Sequence, residues 1–173
     1  MILNNIITYI IDFIHAHKIW VIPIIFFLAF SESLSFFSLF LPATVILLGF
    51  GALIGKSGIS FWLIWVTATT GAFFGDWLSY WIGFHYKDRV NTLWPLSRNP
   101  LLLEYGHTFF ARWGILGVFI GRFFGPLRAI IPLVAGICAM PQSYFQFANI
   151  TSAIIWAFSI LAPGALGAQW FAY

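Results

Sequence analysis

The sequence predicts a single all-α, multi-pass membrane domain over residues 1–173, and three features support this fold class. The chain is 61% hydrophobic and only 8% charged, whereas a soluble domain carries about 25% charged residues to cover its surface. Apolar stretches long enough to span a bilayer, about 20 residues each, recur along the chain. Two of these stretches are interrupted by proline, which predicts hairpins that enter the membrane and return to the same side.

The first proline-broken hairpin is predicted at about 30–55. Residues 19–54 contain a single acidic or basic residue, Glu32. This stretch is longer than one crossing requires, and it has no polar loop that would divide it into two crossings. Pro42 lies near its middle and would break a helix, so we expect a re-entrant hairpin.

A crossing helix is predicted at about 59–84, where the only acidic or basic residue is Asp76. Gly71 and Gly75 form a small-xxx-small pair on this helix, which allows a neighbouring helix to pack closely against it. The polar connection that follows, at 85–112, is expected outside the membrane. Because it carries an excess of Lys and Arg and such short loops stay in the cytoplasm, we predict that it is cytoplasmic.

The second hairpin is predicted at about 113–139, with Gly125, Pro126 and Pro132 as its breakers. A second crossing helix follows at about 144–162. Each half of the chain therefore has a proline-broken hairpin, a short turn and a crossing helix, which predicts a pseudo inverted repeat. The two hairpins would enter from opposite faces and meet near the midplane, as in inverted-repeat transporters.

Four charged residues lie within these hydrophobic segments: Glu32, Asp76, Arg122 and Arg128. A charge at the bilayer centre costs at least about 2.5–3.5 kcal/mol, so the arginines should be paired with the acids or used for binding. On one continuous helix the two arginines would point about 120° apart, but the glycine-proline break allows both to face one cavity. Arginine binds phosphate through a planar, two-pronged donor. We therefore predict headgroup binding by Arg122 and Arg128, with Glu32 and Asp76 responding to protons.

The same four charges are compatible with two other classes of protein. In a non-transporting scaffold they would be ion pairs that only fix the fold, and Asp76 would lock its helix to a hairpin. In a proton-coupled antiporter of small cations or drugs, Glu32 and Asp76 would be the sites and the arginines their counter-ions. The sequence has no zinc motif, glycine-rich phosphate loop or nucleophile motif, so no metal, cofactor or enzymatic activity is expected. Its basic residues are too scattered for nucleic acid binding.

Four segments carry a resemblance to a known family: FSESLSFFSLFLPATVILLGFGAL, GAFFGDWLSYWIG, FIGRFFGPLRAIIPLVAGICAMPQSYF and NITSAIIWA. From about Phe30 to Ala157 the chain resembles the DedA family of bacterial membrane proteins, part of a superfamily that shares the VTT (SNARE-associated) domain. The resemblance implies two opposed re-entrant hairpins with flanking crossing helices. It also implies an inner-membrane flippase for polar-headed lipids, notably undecaprenyl phosphate, that depends on the proton-motive force.

The family's functional residues correspond to positions of this chain. Glu32 matches the acid before the first hairpin, Arg122 and Arg128 match the two arginines, and Asp76 matches the Gly-Asp pair at a helix start. The expected partners are accordingly a phosphate-headed membrane lipid and protons.

One family feature is absent, because the acid that usually follows the hairpin proline is replaced by Ala43-Thr44. Proton coupling through that position is therefore in doubt. The segment FGPLRAIIPLVAG is most similar to DedA domains fused to a lipid phosphatase (PAP2) domain. A fused or associated lipid phosphatase and a homo-oligomer are thus further partners that the sequence leaves open.

Overall fold

The computed structural model describes residues 18–34, 47, 60–87 and 101–170, and within these ranges every regular element is an α-helix. This confirms the all-α class. Pro42 and most of the first predicted hairpin lie outside the described residues. The helices are α1 (Lys18–Ser33), α2 (Phe61–Tyr86), α3 (Leu101–Gly121), α4 (Gly125–Ile137) and α5 (Gln142–Trp170).

Helix α2 packs against α1 through the predicted small-residue pair. A Cβ added to Gly71 would lie 2.5 Å from the carbonyl oxygen of Phe26, and one added to Gly75 would lie 2.6 Å from that of Phe30. No side chain fits at either distance, so the two backbones touch directly. The predicted close approach at Gly71 and Gly75 is confirmed, and its partner is α1. This contact holds the end of α1, and therefore Glu32, against α2.

Helix α4 packs against the other half of α2 in the same way. A Cβ on Gly83 of α2 would collide with the carbonyl oxygen of Leu133, and one on Gly136 of α4 would collide with that of Tyr80. The hydroxyl of Tyr80 also donates to the carbonyl oxygen of Met140, at 2.6 Å. The turn between α4 and α5 is thereby tied to α2.

Helices α3 and α4 are separated by a short turn at Arg122–Phe124. Gly125 and Pro126 begin α4, where the missing N–H of proline costs nothing because no helical partner exists for it. Pro132, predicted as a further breaker, instead lies inside α4. The helix continues through it because the packing of α4 against α2 outweighs the one lost backbone hydrogen bond.

Several helix boundaries differ from those expected from hydrophobicity. Helix α3 begins at Leu101, inside the predicted polar connection, and it kinks at Gly114 (φ 46°, ψ −122°), close to the expected start of the second hairpin. Only glycine adopts this positive φ without strain. Helix α5 continues through Pro163 to Trp170, past the predicted end of the crossing helix.

Among the described residues, one helix is both long and apolar enough to cross a bilayer by length and composition, at Gln142–Ala165 in α5, with a mean hydropathy of 1.5. Helix α2 has 26 residues, which at 1.5 Å per residue is about 39 Å and exceeds the hydrocarbon thickness of about 30 Å. Its Trp, Thr, Ser and Gly residues lower its hydropathy, although they suit a tightly packed interior.

Two apolar clusters form the core, and Asp76 of α2 and Asn149 and Ser152 of α5 lie between them along the chain. In α2, Ala72 belongs to the first cluster and Tyr80 to the second, with Asp76 between. In α5, Ala148 belongs to the second cluster and Ala153 to the first. The junction of the two clusters is therefore where a buried polar site lies.

Candidate functional site: a buried arginine and carboxylate centre

The four charged residues of the hydrophobic segments form two ion pairs at this junction. Arg122 Nη1 lies 2.6 Å from Asp76 Oδ2, and Arg128 Nη1 lies 2.8 Å from Glu32 Oε1. All four residues are between 4% and 7% exposed. The structure thus brings together every residue predicted to bind a headgroup or respond to protons, and it pairs each arginine with one acid. Two arginines and two carboxylates give this centre no net charge when all are ionised.

Arg122 is held mainly by α5. Its Nη1 also donates to Asn149 Oδ1 at 3.0 Å and to Ser152 Oγ at 3.3 Å. The side-chain amide of Asn149 donates in turn to the carbonyl oxygen of Phe73 in α2, at 3.1 Å. Asn149 therefore bridges the backbone of α2 and the guanidinium, and Arg122 is fixed between two long helices.

Arg128 is held by the end of α1 and by an aromatic ring. Its Nη2 donates to Ser33 Oγ at 3.3 Å, beside the ion pair with Glu32. Its guanidinium carbon lies 4.2 Å from the centre of the Trp156 ring, and that of Arg122 lies 5.7 Å from the same ring. Both distances are within the range of cation–π attraction. The turn between α3 and α4 thus directs the two arginines to one place, as the glycine-proline break suggested.

Helix α4 contributes a partial positive charge to this otherwise neutral centre. Arg128 lies in the first turn of α4, where the aligned peptide dipoles give the helix a partial positive charge. A cation is normally disfavoured in that position, whereas an anion is attracted to it. The combination of Arg128, Arg122 and this helix end is typical of a site that accepts an anion.

Three guanidinium nitrogens at the centre remain available to such an anion. Arg122 Nε, Arg122 Nη2 and Arg128 Nε are buried, and none has a hydrogen-bond partner among the residues that the structure describes. Buried donors in folded proteins are nearly always paired, because leaving one unpaired costs about 1–3 kcal/mol. These N–H groups can donate to the acceptor oxygens of a bound group.

The segment NITSAIIWA contributed to the family resemblance, but no role was predicted for the residues of α5 that surround the arginines. Asn149, Ser152 and Trp156 are spaced i, i+3 and i+7, which places them on one face of a helix. Two polar residues and a tryptophan in one stripe of an otherwise apolar span were the available signal. Ser33 could not be predicted either, because its hydrogen bond with Arg128 follows only from its position next to Glu32.

A groove of about 560 Å³ lies elsewhere, between the kink of α3 and the turn that joins α4 to α5. It is lined mainly by apolar side chains, such as Phe110, Trp113 and Tyr144, and by none of the four charged residues. We assign the functional site to the charged centre, because buried charges require a structural or functional explanation that an apolar groove does not. No cluster of three potential metal ligands occurs in the described ranges.

The described part of the chain is helical and buries two arginines and two carboxylates, and the sequence comparisons identify the family of membrane proteins to which the chain belongs. Residues 41–166 match the VTT domain, and the chain belongs to this family, the DedA family of membrane proteins. It is 34% identical over 154 residues to the inner membrane protein YabI of Escherichia coli K12, which covers 89% of this chain and 61% of that protein. It is 32% identical over 157 residues to the membrane protein BU139 of Buchnera aphidicola subsp. Acyrthosiphon pisum, with 91% and 61% covered.

A further relative is the inner membrane protein YghB of Escherichia coli K12, 32% identical over 126 residues, which cover 72% of this chain and 58% of that protein. The chain spans about 61% of the length of the first two relatives. No solved structure matches it. The family and these relatives place the chain in the bacterial inner membrane.

Proposed function

We propose that this protein is a lipid transporter that moves a phosphate-bearing lipid, either undecaprenyl phosphate or a phospholipid, across the inner membrane. The observation that carries the proposal is the set of buried, unpartnered guanidinium nitrogens on Arg122 and Arg128. A phosphate group has several acceptor oxygens and matches the planar donor of arginine. No bond of the lipid is made or broken in this function, so the protein acts as a carrier and not as an enzyme.

Charge balance explains how a neutral centre would accept an anion. Each arginine already has a carboxylate partner, so an incoming phosphate must compete with Glu32 or Asp76. Protonation of the displaced acid removes the like-charge repulsion between it and the phosphate. Loss of that proton restores the ion pair and expels the headgroup. Uptake from one side and release to the other would then draw on the proton-motive force, with Glu32 as the proton-responsive group.

We further propose that α3, the turn and α4 form one of two opposed re-entrant hairpins in a pseudo inverted repeat, with the other around Pro42. Helix α4 has 13 residues and is about 20 Å long, too short for a hydrocarbon core of about 30 Å. Its turn places Arg122 and Arg128 within the protein, where non-helical backbone is tolerated at membrane depth. A headgroup at this turn would be midway along the path.

The test is a flip assay in proteoliposomes that compares undecaprenyl phosphate with glycerophospholipids. We expect wild-type protein to move at least one phosphate-headed lipid and Arg128→Gln to move none. Arg112→Gln is the matched control, since Arg112 is an exposed arginine of α3 outside the centre. Lipid movement that Arg128→Gln leaves unchanged would refute the headgroup site. Proton-driven flux of small cations without lipid movement would favour the antiporter instead.

A further inference from the structure

Helix α5 makes different contacts with the two arginines. Arg122 is bound through Nη1 by Asn149, Ser152 and Asp76, so removal of its carboxylate would still leave two hydrogen bonds to α5. Arg128 has no such polar contact with α5 among the described residues. Its contacts are Glu32 and Ser33 of α1 and the ring of Trp156.

The position of Arg128 therefore depends on its carboxylate partner more than that of Arg122 does. If a phosphate displaces Glu32, or if Glu32 becomes neutral, Arg128 loses its strongest contact with the protein. Without Glu32, this long side chain would keep, among the described residues, only the hydrogen bond to Ser33 and the contact with the Trp156 ring, and without the ring it would regain much of its rotamer freedom. A headgroup site whose principal donor moves away on ligand exchange would bind weakly.

Trp156 supplies the contact that would prevent this. A guanidinium stacks on an aromatic ring through its flat face, while its N–H donors point outward in the plane of the group. The guanidinium carbon of Arg128 lies 4.2 Å from the centre of the Trp156 ring, so this contact can persist while the donors of Arg128 exchange a carboxylate oxygen for a phosphate oxygen. Trp156 is itself packed on several sides, because it is 5% exposed and belongs to the apolar cluster between α1, α2 and α5.

We infer that Trp156 is a positioning residue that keeps Arg128 in the charged centre when the ion pair between Arg128 and Glu32 is broken. Arg122 is then the fixed cation, held by Asn149 and Ser152, and Arg128 is the cation that exchanges its partner. The inference deepens the proposed function and rests on it for the identity of the incoming anion. The stacking itself is independent of that identity.

A double-mutant cycle tests the inference. Short-chain phosphatidic acid is titrated into purified wild type, Glu32→Gln, Trp156→Leu and the double variant in neutral detergent. Glu32→Gln alone should bind as well as wild type or more tightly, because the competing carboxylate is gone and Trp156 still holds Arg128. Trp156→Leu alone should weaken binding several-fold. The double variant should lose at least tenfold more affinity than the two single changes predict together. Additive effects would overturn the inference.

Two further variants separate positioning from folding. Trp156→Phe keeps an aromatic face, so its combination with Glu32→Gln should retain most of the affinity for phosphatidic acid, even if Trp156→Leu lowers the melting temperature. Trp65→Leu is the matched control, since Trp65 packs against the same apolar cluster but does not contact either arginine. It should leave the affinity for phosphatidic acid unchanged. Equal losses in Trp65→Leu and Trp156→Leu would contradict a specific role for Trp156.

A spectroscopic readout distinguishes failure of this inference from failure of the proposed function. In ¹⁵N NMR spectra, the ring current of Trp156 should shift the Nε–H signal of Arg128, and the shift should survive in Glu32→Gln without any lipid. It should disappear in the double variant. Persistence of the shift with no binding of phosphatidic acid would refute this ligand for the site but retain the positioning role. Loss of the shift in Glu32→Gln alone would refute the positioning role itself.

Discussion

At the residue scale, substitution of the two arginines by lysine distinguishes a phosphate-binding site from a pair of structural ion pairs. If they only neutralise Asp76 and Glu32, lysine should replace them, because it has the same charge. If they bind phosphate, lysine supplies a point charge in place of a planar fork. We expect Arg122→Lys and Arg128→Lys to insert and fold but to lose lipid transport by about tenfold or more, the loss expected for one charge-assisted hydrogen bond. Flip rate in proteoliposomes, normalised to folded protein, is the measurement.

Arg128→Lys should be the more damaging of the two. Arg128 lies in the first turn of α4, where the helix dipole and its own charge act on the same anion. Arg122 has Asn149 and Ser152 to orient whatever cation replaces it. Full activity in both lysine variants would exclude the clamp and support ion pairs that only stabilise the fold. Loss of folded protein in both would support the scaffold.

Glu32 carries a separate prediction about protons. Glu32→Gln preserves the shape of the side chain and removes its titration, while the charges that face it, Arg128 above all, remain. The headgroup should then bind but no longer be expelled on deprotonation. We expect transport that is either lost or insensitive to an imposed pH gradient, measured as flip rate with and without that gradient. Wild-type rate with a wild-type response to pH would show that Glu32 is only structural.

The sequence predicted the charged members of the site but not their neutral neighbours. Charges are conspicuous in an apolar chain, since each is costly to bury, and this alone identified Glu32, Asp76 and both arginines. Asn149 and Ser152 are far cheaper in a membrane helix and common there as interhelical contacts. Which acid would pair with which arginine could not be predicted either, because it depends on how α1 and α2 pack against α4.

At the element scale, the close contact of Gly75 with α1 positions Glu32 in the charged centre. Gly75→Leu would force its side chain against the carbonyl oxygen of Phe30 and the Cβ of Ser33. Such overpacking typically costs about 1–3 kcal/mol or more, and it would push the end of α1 away from Arg128. We expect a lower melting temperature in detergent together with loss of lipid transport.

An exposed position on the same helix provides the control for this change. Thr70 faces outward on α2, so Thr70→Leu places the same leucine side chain on this helix without separating it from α1. Its melting temperature and flip rate should match those of wild type. Gly75→Leu protein that is as stable and active as Thr70→Leu protein would show that the α1–α2 contact does not position Glu32.

Helix boundaries show where pattern-based prediction succeeds and where tertiary packing overrides it. Helix α2 was predicted within two residues at each end, since a single apolar stretch with one acid is a strong pattern. Pro132 was expected to break a helix, yet it lies inside α4, and α5 continues through Pro163, beyond the end predicted at about 162. The cost of a proline is local and fixed, whereas the stabilisation from packing a helix along its length grows with its contacts. The local cost of a proline can be estimated from the sequence, but the stabilisation from packing cannot.

At the scale of the whole molecule, the neutral centre ties the described helices together. α1 supplies Glu32 and Ser33, α2 supplies Asp76, and α4 supplies Arg128, while Arg122 follows α3 directly and Trp156 comes from α5. Movement of any one of these helices would change a contact at the centre. An exchange of partner at Arg128 can therefore be transmitted to the packing of α1 and α4, which a transporter with alternating access needs.

The orientation of the chain in the membrane follows from its basic residues. The predicted connection at 85–112 carries four Lys and Arg residues, against two on the opposite side. Because positively charged short loops remain in the cytoplasm, we expect this connection to be cytoplasmic. The residues counted are Lys87, Arg89, Arg98 and Arg112 for the connection, and Lys18 and Lys56 for the other side.

Thiol labelling in intact cells tests this orientation. Cys138 is the single native cysteine, so Cys138→Ala provides a background without thiols, and Ser97→Cys then places one in the connection. That cysteine should resist a membrane-impermeant thiol reagent until the inner membrane is permeabilised. Lys56→Cys, on the side predicted to be periplasmic, is the matched control and should be labelled at once. Prompt labelling at position 97 with protection at position 56 would reverse the orientation. It would also reverse the face from which each hairpin is entered, and hence the side on which Arg128 first meets a headgroup.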